Sequence, residues 1–379
     1  MNIKFPIQMY DPKREYMQNK SEINKSIQTV LDHGLFINGP EVKELEKSLS
    51  NYVGVKHCIS TSNGTDALKI SLLALGVGFE DEVITVAHTW ISTAEVISVI
   101  GAKPIFVDID INNFNLDPSK IEEKITQKTK AIIVVSLYGQ IANLKEINNI
   151  ANKYNLPVIE DGAQSFGAEQ NEKKSCSLTT IGTTSFFPSK PLGGYGDGGA
   201  CFTNDEEIAK KITAIKNHGG MKRFHHKYIG INARLDTIQA AIINSKFKYF
   251  EKTLQNRINC ANYYSDKLKY LEDKKLITLP KLDSGNKSSW AQYSIIVSSK
   301  NIRDNIVEYL KANKINVAIF YPSPLHTQEC FSYLNYKLGD LPETEKACDT
   351  LFNLPCYGEI TKEEQNYIIS IIDNYFCPV

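Results

Sequence analysis

The sequence predicts an α/β protein: a large domain with a mainly parallel seven-stranded sheet between helices, then a smaller C-terminal α+β domain. Three observations carry that expectation. From residue 54 onward, short β-branched runs alternate with helix-compatible segments, the rhythm of parallel strands joined by crossover helices. The runs are apolar throughout, which fits a sheet covered on both faces. Beyond residue 204 the texture changes to a long, charged, helical stretch and then to strands and helices in a different order.

In chain order, HCIST (57–61) reads as a strand and TDALKISLLALG (65–76) as the helix after it. EVITVA (82–87) and KPIFVDI (103–109) are strands separated by a helix around STAEVISVIG. AIIVVSLYG (131–139) precedes a helix over 143–155 and the strand LPVIED (156–161). TTSFF (183–187) and GACFTN (199–204) bring the strands to seven. The stretch from ARLDTIQAA to about residue 271 reads as one long helix able to bridge two domains. WAQYSIIVS (290–298) and INVAIFY (315–321) are then strands, with helices near 302–313 and 362–375. The expected division is 1–250 for the large domain with its N-terminal arm and 251–379 for the small one.

Charge excludes some functions. With 43 Lys+Arg against 43 Asp+Glu the formal net charge is zero, so bulk electrostatics recruits neither nucleic acid nor a membrane surface. The N-terminal stretch lacks the apolar run of a signal peptide. The best candidate for a membrane span, 83–102, contains His88 and Glu95, and the run AIIVV has only strand length. Eight scattered cysteines without a C-x-x-C pair read as free thiols of a cytoplasmic protein. His225 and His226 have no companions at zinc spacing, so no metal is expected.

Three segments carry chemistry. In SNGTDALK (62–69) a strand runs through a Gly-containing turn into a helix, whose free N–H groups at Gly64 and Thr65 could hold a phosphate; alone, the segment reads more readily as an ordinary helix cap closing a βα turn. VIEDGAQSFGA (158–168) delivers Glu160 and Asp161 to a strand's C-terminal end, where ligands of open α/β sheets bind. A carboxylate there serves a cationic ring nitrogen, a sugar hydroxyl or merely the turn itself. In SFFPSKPLGGYGDGGACFTN (185–204), Lys190 sits in a Gly-rich loop. Gly194, Gly196 and Gly199 match G-x-G-x-x-G, but a strand follows where a dinucleotide site needs a helix. Phosphate cup, carboxylate and lysine together describe a site for pyridoxal 5′-phosphate.

The motifs SNGTDAL, EDGAQSFGA, SFFPSKPLGGYGDGG and GINARLDTIQAA, with GLFINGPEVKELE (34–46) and YPSPLHTQ (321–328), resemble the DegT/DnrJ/EryC1/StrS family of sugar aminotransferases. The resemblance implies the fold-type I architecture, with cofactor bound by the large domain. It implies that Lys190 joins the cofactor's aldehyde covalently and then moves the substrate proton, and that Asp161 pairs with the pyridinium nitrogen. By the same likeness Gln164 contacts the phenolic oxygen and Trp90 stacks on the ring. Gly64, Thr65 and Ser185 would hold the phosphate, with Asn232 reaching it from the neighbouring subunit of a homodimer with shared active sites. Arg234, Tyr321 and His326 would face the substrate.

Lysine at 190, where dehydrating relatives carry histidine, favours transamination. The likeness is nearest to enzymes acting on UDP-2-acetamido-3-keto-hexuronate, with L-glutamate as amino donor. A 4-keto-6-deoxy sugar linked to UDP or dTDP, aminated at C4, is the rival substrate, and a non-catalytic regulatory homologue is the rival from another class. A nicotinamide-dependent dehydrogenase would rest on the misleading glycine match.

Overall fold

The computed structural model describes residue 3 and residues 5–378. Residues 1, 2, 4 and 379, the outer ends of the two expected domains and part of the stretch read against a signal peptide, lie outside the described residues.

The chain opens with helices α1 (Pro12–His33) and α2 (Pro40–Val53), each with proline in its first turn and a left-handed glycine after its last. Strands and helices then alternate: β1 (His57–Thr61), α3 (Gly64–Ala74), β2 (Glu82–Val86), α4 (Ser92–Val99), β3 (Lys103–Val107), β4 (Thr129–Val135), α5 (Leu144–Lys153), β5 (Val158–Asp161), β6 (Ile181–Ser185), β7 (Gly199–Thr203) and α6 (Glu206–Ile215). The seven strands form one sheet in the order β1-β7-β6-β5-β4-β2-β3. Pairings from β3 across to β6 are parallel, and β7 runs antiparallel to both β6 and β1.

Continuous apolar runs bury both faces. Ala131 and Ile133 join Leu68, Ile97 and Ile212 on one side, while Ile132 and Val134 join Leu144 and Ile147 on the other. β5 is therefore the central strand of a closed sandwich, and Asp161 stands at its C-terminal end.

The expected single long helix is two. α7 (Thr237–Phe247) and α8 (Phe250–Asp273) meet at a turn over Lys248 and Tyr249. Packing sets the break: Phe250 is buried with Phe166 and Phe202, against the backbone of Gly167, where an added Cβ would lie 2.8 Å from its ring. The expected strand 315–321 has only isolated pairings, Ile315 with Ile7 and Ala318 with Asn353. A strand absent from the expectation, β9 (Leu351–Leu354), pairs antiparallel with β8 (Tyr293–Ile296). Helices α9 (Lys300–Ala312), α10 (Pro342–Thr350) and α11 (Lys362–Phe376) complete the C-terminal part, whose core joins Tyr264, Tyr293, Phe352 and Ile368. Leu325, Phe331 and Leu341 leave that core and pack on Ala87, Ala94 and Phe106 of the large sheet's surroundings. Among the described residues no helix is long and apolar enough to cross a membrane.

Candidate active site

A cleft of about 500 Å³ opens at the C-terminal ends of the central strands. The strand pleat decides which of the two adjacent carboxylates reaches it. Successive side chains point to opposite faces, so Asp161 lines the cleft while Glu160 turns away. Glu160 accepts hydrogen bonds from the hydroxyls of Ser136 and Ser175, both at 2.8 Å, and from the Cys176 N–H at 2.7 Å. It is a structural residue, and burial raises its pKa against those bonds.

Asp161 is held from behind. Thr93, in the first turn of α4, donates its hydroxyl to Oδ2 at 2.9 Å, and the Ala163 N–H donates to Oδ1 at 3.2 Å. Burial raises its pKa all the same. A carboxyl so placed ionises fully only beside a cation, and a protonated ring nitrogen is one.

Lys190 lies in the loop between β6 and β7. That loop folds back because Phe186 donates its N–H to the Gly198 carbonyl and accepts from the Gly194 N–H, both at 2.7 Å. A Cβ on Gly193 would stand 2.4 Å from the Pro188 carbonyl oxygen, so the turn needs glycine there. The residue is half-buried, but its amine is enclosed: burial lowers its pKa, with the charge of Asp161 pulling the other way. The two line the same cleft close enough for one charge to act on the other.

The phosphate cup is built from three pieces. Asn63 caps α3 by accepting the Asp66 N–H at 2.7 Å, which leaves the N–H groups of Gly64 and Thr65 without partners among the described residues. The hydroxyls of Thr65 and Ser92 pair at 2.7 Å. Ser185, at the end of β6, closes the other side; a Cβ on Gly64 would fall 2.8 Å from the Ser185 Cβ. Gly199 lets the loop approach, since a Cβ there would lie 2.5 Å from the Asn63 carbonyl oxygen. The glycines of the false dinucleotide match thus have a packing role, and β7 follows them as expected. Free N–H donors, a helix's positive end and hydroxyls fit a phosphate dianion.

Trp90 is 59% exposed and turns toward the cleft, its ring centroid 6.3 Å from that of Tyr321. Gln164 accepts the Tyr138 N–H on Oε1 at 2.9 Å and donates through Nε2 to the Tyr321 hydroxyl at 3.2 Å. The donor set therefore fits pyridoxal phosphate at four of its groups: cup for phosphate, carboxylate for ring nitrogen, amine for aldehyde and flat aromatic for the ring.

Within one chain the structure does not bring Asn232, Arg234 or His326 to this cleft. Asn232 is exposed and pairs with Asn217, while the carbonyl of its neighbour Ala233 accepts the Ser62 N–H, two residues from the cup. Arg234 is half-buried, with an Nε that has no partner among the described residues. His326 is 1% exposed and turned to Glu345, 3.1 Å from Nε2. Conversely Thr93, Ser92, Phe187, Asp197, Gln292 and Phe320 were not read from the sequence, although all but Thr93 line the cleft. Thr93 had a signal in the hydroxyl-rich run beside Trp90. Gln292 and Phe320 arrive from the distant C-terminal part and had none. Among the described residues no group of three His, Cys, Asp or Glu side chains could hold a metal ion.

The model of the DegT/DnrJ/EryC1/StrS aminotransferase family matches residues 17–373. The UDP-2-acetamido-2-deoxy-3-oxo-D-glucuronate aminotransferase of Pseudomonas aeruginosa is 46% identical over 97% of this chain and 100% of its own. A Geobacillus stearothermophilus protein named as a pleiotropic regulatory protein is 43% identical over 98% of both chains. A Bacillus subtilis protein solved with the cofactor PMP bound superposes with a TM-score of 0.92 at 34% identity, covering 99% of this chain and 86% of that one. Fold, site and relatives define a pyridoxal-phosphate-dependent sugar aminotransferase of fold-type I. The chain belongs to the DegT/DnrJ/EryC1/StrS aminotransferase family.

Proposed function

We propose that the enzyme moves an amino group from L-glutamate to C3 of a nucleotide-linked keto sugar, UDP-2-acetamido-3-keto-hexuronate, in the cytoplasm. The name of the Pseudomonas aeruginosa relative supports C3 over the rival C4. The single observation that carries the catalytic reading is the enclosed Lys190 amine sharing a cleft with the buried Asp161. A regulator without turnover has no need of an amine and a carboxyl facing one cleft.

When bound, pyridoxal phosphate supplies an aldehyde and an electron-accepting ring. The chain's own residues do the rest. Lys190, whose lowered pKa favours the free amine, takes a proton from the donor carbon and returns one to the sugar carbon. Asp161 holds the ring-nitrogen proton, with Thr93 and Ala163 fixing the carboxylate. Gly64, Thr65 and Ser185 anchor the phosphate end, Trp90 stacks on the ring, and Tyr321 faces the sugar.

We propose further that residues 1–250 act as the cofactor-binding domain and 251–379 as the small domain that supplies Gln292, Phe320 and Tyr321. The working unit is a homodimer in which Asn232 and Arg234 serve the neighbour's site. Supporting it, Leu35, Phe36 and Ile37 lie exposed beside Asp236, and the segment before Asn232 carries Phe224 and Ile229 at 85% and 95% exposure. The test is direct. Purified protein should be yellow, lose that colour with L-glutamate and regain it with the 3-keto sugar, and NMR should place the new amine at C3. Amination at C4, or no bleaching by glutamate, overturns the reading.

A further inference from the structure

His88, two residues before Trp90, is 1% exposed, and nothing above gives it a task. Its Nε2 stands 2.8 Å from the Tyr138 hydroxyl and its Nδ1 3.5 Å from the Cys348 sulfur on α10. Proton counting orders these bonds. The Tyr138 hydroxyl has one proton and donates it to the Phe320 carbonyl. It must therefore accept from His88, so Nε2 carries the ring hydrogen and Nδ1 accepts from the Cys348 thiol. Burial lowers the His88 pKa to about 4, which keeps the ring in the neutral form this pattern requires.

The main chain of Tyr138 extends the network. Its N–H donates to Gln164 Oε1 at 2.9 Å, and its carbonyl accepts the Gln292 N–H at 3.3 Å. Gln164, oriented in this way, spends its amide N–H on the Tyr321 hydroxyl oxygen. Tyr321's own proton is then left to point into the cleft. Tyr138 has φ 55°, a left-handed backbone that a tyrosine adopts only under restraint. The restraint is the three-way hold on its N–H, carbonyl and hydroxyl.

We propose that His88 is a positioning residue: through Tyr138 it fixes Gln164 and Tyr321, so that the Tyr321 hydroxyl is presented to the sugar substrate as a hydrogen-bond donor. The inference rests on the aminotransferase reading, and turnover by the parent holoenzyme checks that reading separately.

The test is a double-mutant cycle on holoenzyme with the keto sugar. His88→Leu should lower kcat/KM about tenfold, the scale of one misplaced hydrogen bond. If His88 acts through Tyr321, His88→Leu added to Tyr321→Phe should cost no more than about twofold beyond Tyr321→Phe alone. His88→Gln, whose amide brings an N–H near the Nε2 position, should recover most of the loss. Multiplicative losses in the cycle, equal damage from Gln and Leu, or parent-like kcat/KM in folded His88→Leu each overturn the proposal. Should His88→Leu not fold, Tyr138→Phe, which keeps the ring and removes the hydroxyl, takes its place in the same cycle.

Discussion

The hydroxyl of Thr93 donates to Oδ2 of Asp161 at 2.9 Å from the opening turn of α4, with Thr93 fully buried. A hydrogen bond to an ionised, buried carboxylate contributes roughly 1.5–3 kcal/mol. Thr93→Val keeps the shape and removes the donor. The expected result is intact fold by circular dichroism and kcat lowered by about tenfold or more, since 1.4 kcal/mol is tenfold. Unchanged kcat would mean that the Ala163 N–H suffices to hold Asp161.

The two groups of the proposed chemistry can be removed singly. Lys190→Ala should abolish turnover and leave fold and assembly intact, because it empties a loop position and not a core one. Asp161→Asn should fold and lose a factor of about 10²–10⁴, the usual range for such roles. Steady-state rates with L-glutamate and the keto sugar measure both, and substantial turnover by either variant moves the assignment to another residue.

How much of this was legible without coordinates depends on which force sets each feature. The sheet was, because both-face burial writes itself as apolar runs such as AIIVV. So was a carboxylate at the end of such a run, but not its task, since a turn cap and a partner for a ring nitrogen read alike there. The break between Phe247 and Phe250 was not: both halves favour helix, and the turn is set by Phe250 packing on Gly167, a contact between residues far apart in sequence. INVAIFY has strand composition, yet its backbone leaves the sheet direction to carry Phe320 and Tyr321 to the cleft. The choice of Asp161 over Glu160 rests, in the sequence, on the family resemblance; its physical ground is the pleat, which one slipped residue would reverse.

Burial depresses the Lys190 pKa below the ordinary 10.5. The sign of the consequence is fixed. Apoprotein binds fewer protons there than unfolded chain, so the burial cost is complete below the folded pKa and vanishes as pH rises past the unfolded one. The free amine also forms earlier. Capture of pyridoxal phosphate by apoprotein, followed by absorbance, should therefore accelerate with pH around a midpoint below 10.5. A midpoint at or above that value would contradict the enclosed amine.

Gly64 and Ser185 meet so closely that a Cβ at 64 would sit 2.8 Å from the serine Cβ. Gly64→Ala must push the start of α3 and the end of β6 apart, opening the cup. Overpacking of this kind costs about 1–3 kcal/mol. Cofactor affinity should fall by about tenfold, or 1.4 kcal/mol, read by titrating apoprotein with pyridoxal phosphate. Parent-like affinity would place the phosphate elsewhere.

The last prediction concerns Asn232, exposed in its own chain and three residues after the exposed Ile229. If the neighbour's phosphate receives its amide, Asn232→Ala should weaken cofactor binding by about 1–3 kcal/mol, the range for a charge-assisted bond. Binding and dimerisation are then linked, because a ligand that prefers the dimer stabilises it by the same coupling energy. Stripping the cofactor should loosen the dimer in analytical ultracentrifugation. Mixing separates the two-chain site from a one-chain site. In a dimer of one Asn232→Ala chain with one Lys190→Ala chain, shared sites gather both defects in one cleft and leave the other whole, so activity partly returns. Subunit exchange without any return of activity would mean that Asn232 serves its own chain.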